Sequence, residues 1–144
     1  MRQVLCPVCA TPNRVPEDRP PAQAKCGRCG EALFPGQPVE VDGAGLTRYL
    51  EKTRGGVLLD VWAPWCGPCR MMAPHFQAAA ARLEPDVKLI KLNSEAHPQA
   101  SARLGIQGIP TLILFRDGRP VARSSGAMSV EQIVAWTRDG LARG

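Results

Sequence analysis

All six cysteines of this chain fall into pairs of the form Cys-x-x-Cys: Cys6/Cys9, Cys26/Cys29 and Cys66/Cys69. A thiolate is both a nucleophile and a metal ligand, so the setting of each pair decides its chemistry. The third pair lies in Trp62-Ala63-Pro64-Trp65-Cys66-Gly67-Pro68-Cys69. An apolar run, Val57 to Trp62, leads into it and reads as a buried strand. Met71, Met72, Phe76, Ala79, Ala80 and Leu83 then recur at helical spacing. Cys66 therefore sits where a helix begins, with unpaired backbone N–H groups and the positive end of the macrodipole beside it. Pro68 suits a first helical turn, where its missing N–H would have had no partner. Cys69 is one turn further on, placed to close a short disulfide ring.

The helix terminus lowers a thiol pKa by about one unit from ~8.5. At pH 7 the thiolate fraction then rises from about 3% to about 24%, while nucleophilicity falls about threefold, for a net gain of only about threefold. Positioning against a target disulfide must supply much of the rest. A purely structural disulfide is the competing reading. A metal site at this pair lacks a third and fourth ligand nearby in sequence.

The first two pairs stand 16 residues apart, a spacing that fits a four-cysteine zinc site with Cys6, Cys9, Cys26 and Cys29 as ligands. Gly27 and Gly30 allow the turn that aims backbone N–H groups at sulfur. The segment between the pairs holds Pro12, Pro16, Pro20 and Pro21 among scattered charges, too polar for a core of its own. One tetrahedral Zn²⁺ would supply the missing cross-link, and four sulfurs leave no open position, so the ion would be structural. Two disulfides or two more redox pairs are the alternative.

Asp60 interrupts the otherwise apolar strand before Trp62. A carboxylate there is costly unless partnered or protonated, so burial should raise its pKa; a strand-edge position facing water is the alternative. The chain carries 44% hydrophobic and 22% charged residues, enough for a real core and too ordered a mixture for a disordered chain. Its net charge of +5 is spread without a Lys/Arg run, and the aromatic and basic interleaving of nucleic-acid binders is missing. We expect no nucleic acid and no membrane: Met1 to Cys6 is no apolar signal segment, and no stretch reaches the length of a span. A cytoplasmic monomer is the expectation, and in a reducing compartment such pairs favour metal binding and redox chemistry over structural disulfides.

The elements that must position these groups are legible. Glu31 to Pro38 reads as a linker in which Phe34 packs on a neighbour, and Val39 to Val41 as a short strand. A helix with Asp42 or Gly43 near its start presents Leu46, Tyr49 and Leu50 and ends at Gly55-Gly56. Pro74 should kink the helix after Cys69 by removing the bond to the Arg70 carbonyl. Val87 to Leu92 is a further strand. Ser94 is expected to cap the next helix, which ends at Gly105. Thr111 to Phe115 and Val121 to Ser125 flank the hairpin signal Asp117-Gly118, and Ser129 with Gln132 fits a capping box for a last helix. His75 and His97 have no ligand cluster around them and read as structural or surface residues.

Trp65-Cys66-Gly67-Pro68-Cys69, with Asp60 on the strand before it and Gly108-Ile109-Pro110-Thr111 downstream, resembles the thioredoxin family over about residues 38–144. With the four-cysteine segment, the chain resembles the zinc-containing thioredoxin 2 type of bacteria. The resemblance implies an α/β thioredoxin fold, a central mixed β-sheet flanked by helices, at 38–144. A small zinc-binding module and linker would occupy 1–37. It implies that Asp60 accepts the proton of Cys69, that Lys91 lies near this acid, and that Pro110 is cis against the cysteines. Trp65, Gly67, Pro68, Ile109, Pro110, Gly126 and Ala127 would form the apolar rim for an extended substrate. Pro64 and Val61 depart from the acidic and aromatic residues common at those places.

The implied activity is protein-disulfide reduction through a reversible Cys66–Cys69 disulfide. Disulfide-containing client proteins would be the substrates and an NADPH-dependent flavin reductase the electron source. Besides structural zinc, one ion per chain, no organic cofactor is expected. A disulfide oxidase or isomerase on the same fold is one rival, though Gly67-Pro68 favours a reductant. A zinc-ribbon adaptor that uses the fold for binding only is the other.

Overall fold

A computed structural model describes residues 1–143. The N-terminal segment forms an antiparallel hairpin, β1 (Arg2–Leu5) with β2 (Pro12–Val15), followed by a single 3₁₀ turn at Pro21–Gln23. Then come β3 (Val39–Val41), α1 (Gly43–Lys52), β4 (Gly56–Trp62), α2 (Gly67–Leu83), β5 (Val87–Asn93), α3 (Pro98–Arg103), β6 (Thr111–Arg116), β7 (Arg119–Ser125) and α4 (Val130–Arg143). The main sheet has the order β3-β5-β4-β6-β7, with β3, β5 and β4 parallel and β6 and β7 antiparallel to their neighbours. The expected thioredoxin fold, a mixed sheet flanked by helices, is the one observed. Among the described residues no helix is long and apolar enough to cross a membrane.

Strand alternation divides the core into two layers. Val57, Leu59 and Val61 of β4, with Ile90 and Leu92 of β5, pack on Leu46 and Tyr49 of α1. Leu58, Leu89, Leu112 and Leu114 face the other way, onto Met72, Phe76 and Ala79 of α2 and Ile133 and Val134 of α4. By the same alternation Asp60 shares the face of Leu58 and lies under α2. Asp42 caps α1 through its side chain, which accepts from Gly45 N–H at 2.6 Å. Ser129 and Gln132 form the reciprocal capping box, at 3.2 and 2.9 Å. Asp117 and Gly118 both have positive φ, 50° and 82°, as the two-residue turn of a twisted hairpin requires. His75 is structural: its Nδ1 accepts from Val130 N–H at 3.1 Å and ties α2 to the start of α4.

Three local expectations give way. Ser94 does not cap α3: its hydroxyl donates to the Trp62 carbonyl at 3.0 Å, and the preceding turn is held by Asn93, which accepts from Glu95 and Ala96 N–H. Asn and Ser are both capable of this, and the main-chain carbonyl at the end of β4 claims the serine. The segment between the first two cysteine pairs does possess a small core, in which Val4, Val15, Ala24 and Leu33 surround Cys6 and Cys26. Val15 and Ala24 come from the loop, but Val4 of β1 and Leu33 come from outside it, so the composition of the loop alone does not reveal the core.

The stretch read as a linker is a packed strap. Leu33 is buried, its N–H donates to the Ala24 carbonyl at 3.0 Å, and its own carbonyl accepts from Lys88 Nζ at 2.7 Å. Lys88, 1% exposed, also meets Glu84 at 2.9 Å and lies 5.1 Å from the Phe34 ring centre. Gly36 N–H donates to the other Glu84 oxygen at 3.0 Å. Burial pushes Glu84 up and Lys88 down, so each keeps its charge through the other. β1 adds main-chain bonds to the same seam: Arg54 N–H donates to the Gln3 carbonyl at 2.9 Å, and Leu5 enters the core beside Tyr49.

A buried pair of this kind stabilises little against an apolar replacement, but removing one partner strands the other. Lys88→Met is therefore expected to cost about 3–5 kcal/mol in urea unfolding, while Glu84→Leu/Lys88→Met recovers most of that loss. Equal losses in the single and double variants would contradict the pairing.

Candidate active site and metal centre

β4 ends at Trp62, and after three residues Cys66 stands at the N-cap of α2. The turn is closed by Cys66 N–H donating to the Ala63 carbonyl at 3.1 Å. Cys66 and Cys69 form a disulfide with Cα atoms 5.2 Å apart. Cys69 N–H points at Cys66 Sγ from 3.2 Å, so a free amide of the first helical turn is aimed at the sulfur that would carry negative charge after reduction.

The two sulfurs differ in access. A groove of about 670 Å³ is lined by Trp65, Cys66, Gly67 and Pro68 on one wall and by Ile106 to Ile109 with α3 residues Ser101 and Ala102 on the other. Cys66 lines it and Cys69 does not. Trp65, 67% exposed, overhangs the entrance, and the Ile109 carbonyl oxygen is 3.8 Å from Cys66 Sγ. The Ile109–Pro110 peptide is cis, and Pro110 is buried with its carbonyl accepting from Gly126 N–H at 2.9 Å. Gly126 and Ala127 are exposed next to Pro110 and do not line the groove itself. The wall from α3 was not legible beforehand, since Ser101 and Ala102 carry no chemical signal and meet the cysteines only through the sheet crossover.

On the face of β4 that carries Leu58, Asp60 is 1% exposed and, among the described residues, neither carboxylate oxygen has a hydrogen-bond partner. Burial raises it to about 7, against an attraction from Lys91 and with a further push from Glu40. The alternative of an edge aspartate facing water is excluded, because β4 is the middle strand of five. Lys91 is the register partner of Asp60 in β5, yet its ammonium stands 4.7 Å from the Trp62 ring centre and makes no ion pair among the described residues. Glu40, which sequence reasoning passed over, accepts from the Trp62 indole N–H at 3.3 Å.

At the other end of the chain, the sulfurs of Cys6, Cys9, Cys26 and Cys29 all lie within 4.8 Å of one another. The Cys6–Cys29 and Cys9–Cys26 separations are 3.6 Å, close to the ~3.8 Å edge of a ZnS₄ tetrahedron with bonds of ~2.3 Å. Val8 and Cys9 N–H groups point at Cys6 Sγ, and Arg28 N–H with the Asn13 amide at Cys26 Sγ. Those donors are the second shell that a thiolate needs, and the four cysteines fit a structural zinc ion. Thr11 beside Cys9 and Asn13 beside Cys26 are additions that the spacing alone does not indicate.

The family profile for thioredoxin matches residues 37–139, and one described as thioredoxin 2, N-terminal, matches residues 5–31. Thioredoxin C-3 from Corynebacterium nephridii is 40% identical over 133 residues, covering 92% of this chain and 91% of its own. The thioredoxin of Pseudomonas aeruginosa is 40% identical over 98 residues, 68% of this chain and 91% of that one. Among solved structures, chloroplastic thioredoxin z superposes with a TM-score of 0.68 at 27% identity, covering 74% of this chain and 96% of its own. A cysteine pair at a helix start, a buried acid on the strand that leads to it and a four-sulfur knuckle thus coincide with matches along nearly the whole sequence: the chain belongs to the thioredoxin family of thiol–disulfide oxidoreductases and carries the zinc-ribbon module of the thioredoxin 2 type.

Proposed function

We propose that the chain is a protein-disulfide reductase in which Cys66 attacks and Cys69 resolves. The observation that carries this is the difference in access: Cys66 lines the groove, while Cys69 is buried and does not line it. Cys66 thiolate attacks one sulfur of a client disulfide, the client S–S bond breaks, and the second client sulfur leaves as a thiolate that takes a proton from water. Cys69 then loses its proton to the Asp60 carboxylate and attacks Cys66 Sγ. The mixed disulfide breaks, the remaining client sulfur leaves as a thiolate, and the client has gained two electrons while Cys66–Cys69 has become a disulfide. An acid poised near neutral pH is suited to take and return that proton.

Trp65, Gly67, Pro68, Ile109 and Pro110 form the apolar floor and rim for an extended client segment, with Gly126 and Ala127 as the outer edge. Lys91 steadies the charge of Asp60 when it ionises. The oxidised pair is re-reduced by an NADPH-dependent flavin reductase, in the cytoplasm and with the chain acting as a monomer. Residues 1–37 serve as the zinc module and strap, and 38–144 as the redox domain. Zn²⁺, held by the four N-terminal cysteines, contributes a cross-link and no chemistry at the disulfide.

Cys66→Ser is expected to abolish insulin reduction, and Cys69→Ser to accumulate mixed disulfides with clients at Cys66. Trapping through Cys69 in the Cys66→Ser protein would reverse the assignment.

Asp60 also gives a pH signature. Its folded pKa of about 7 lies above the ~3.9 of an unfolded aspartate, so the folded state holds the extra proton. The associated stability is complete below about pH 4 and is lost as pH rises through 7. Asp60→Asn escapes that loss. The oxidised variant should be more stable than the parent by roughly 2–4 kcal/mol at pH 8 and equal to it near pH 4, while its resolving step slows. Denaturation at both pH values and stopped-flow of the two chemical steps measure this. A stability difference independent of pH would remove Asp60 as the group concerned.

Native mass spectrometry of the reduced protein should show one zinc per chain. Chelation should open residues 6–32 and lower the melting temperature, since Leu5 is buried in the core of the redox domain and the Leu33 carbonyl accepts from Lys88. Insulin reduction should survive, because every groove residue lies beyond Trp62. Two N-terminal disulfides in the native, metal-free protein would overturn the zinc assignment.

A further inference from the structure

Glu40, Lys91 and Asp60 stand in one row across the sheet. Glu40 and Lys91 are register partners between β3 and β5, and Lys91 and Asp60 between β5 and β4. In parallel pairing such partners share a face, and here it is the face under α2, since Val39 and Val41 pack on the opposite layer. Lys91 therefore lies between two acidic residues in the row, at a backbone spacing of about 5 Å from each, and its ammonium carries the only positive charge there among the described residues. It forms an ion pair with neither among the described residues and sits over the Trp62 ring, whose indole N–H is held by Glu40.

We propose that Glu40 is a positioning residue for the redox reaction: by sharing Lys91 with Asp60 and fixing the Trp62 ring on which the ammonium rests, it keeps the buried acid undercompensated and so sets how readily Asp60 holds the proton of Cys69. The proposal rests on the reading of Asp60 as the proton acceptor. The remaining groups around Asp60 are few. α2 brings Cys66 and Cys69, β6 brings the apolar Leu112, and α4 brings Ile133 and Val134. His97, ahead of α3, acts on Glu40. Glu40 and Lys91 are thus the charged side chains placed to act on Asp60, with opposite signs. Burial raises Glu40 itself, opposed by Lys91 and by the Trp62 bond, so its charge rests on the same two partners that lead to Asp60.

Two substitutions separate the charge of Glu40 from its hydrogen bond. Glu40→Gln keeps an acceptor for the Trp62 indole and loses the charge. Glu40→Asp keeps the charge and shortens the reach to the indole. The readout is the Asp60 carboxyl ¹³C shift against pH in the full-length oxidised protein, where the disulfide cysteines do not titrate. The Asp60 midpoint should fall by about half a pH unit in Glu40→Gln and stay near the parent value in Glu40→Asp. Lys91→Gln should move it upward. An unmoved midpoint in Glu40→Gln, or a shift confined to Glu40→Asp, overturns the proposal, the latter because it marks a merely structural bond. Stopped-flow resolution by Cys69 is measured alongside. If the Asp60 midpoint moves and the pH profile of resolution does not follow it, Asp60 is not the acceptor, while the hold of Glu40 on its charge stands.

Discussion

A carboxylate with no hydrogen-bond partner in the middle strand of the sheet is the constraint from which much of the site follows. Leaving a charge there is costly, and the cost is met by keeping a proton on it up to about neutral pH. The surrounding structure enforces this. β4 is flanked on both sides, α2 closes the face above, and no side chain reaches the two oxygens. A better-satisfied aspartate would stay ionised throughout the neutral range. The same β4 that buries Asp60 delivers Cys66 four residues beyond its end, so the acid and the disulfide are positioned by one strand and cannot drift apart.

The second buried charge, Lys88, has a different use. It is paired with Glu84, bonded to the Leu33 carbonyl and set against Phe34, so it is satisfied where Asp60 is not. Its partners come from the strap and from the turn after α2, and the arrangement specifies where the N-terminal module docks. Ion pairs of this type contribute little net free energy but penalise alternatives strongly, which is what a seam between two small units requires. The four-sulfur knuckle fixes the module internally, while Lys88, Leu5 and the main-chain bonds from β1 fix it to the redox domain.

Where the sequence was legible, the signal was local. The helix at Cys66 announces itself by Pro68 and by apolar spacing, the hairpin by Asp117-Gly118, the last helix by Ser129 and Gln132, and the zinc knuckle by cysteine spacing. The groove wall from α3, the strap and the Glu40 row were hidden because they are products of register and crossover. Glu40 alternates as an ordinary exposed strand residue, and only the pairing of β3 with β5 brings it beside Lys91. Leu33 and Phe34 are two apolar residues in a run of Pro and Gly, too few to signal a packed segment without knowing that Lys88 lies opposite. Asp60 is the intermediate case: its burial was readable from its apolar neighbours, whereas its lack of any partner was not.

The three Cys-x-x-Cys pairs show how little the motif alone determines. In all three a backbone N–H points at the first sulfur of the pair: Cys9 at Cys6, Arg28 at Cys26, and Cys69 at Cys66. In the N-terminal pairs the chain folds each turn against the other, and four sulfurs converge at a tetrahedral edge length that one cation would fit. At Cys66 the chain continues into a seventeen-residue helix, so the only favourable charge is the partial one of the helix terminus, and the neighbouring sulfur is the only covalent partner. One pattern thus gives a four-sulfur cluster fit for a metal ion where two copies meet and a disulfide pair where one copy meets a helix. The discriminating quantity is the number of thiolates that the backbone brings within reach of one point, four in one case and two in the other.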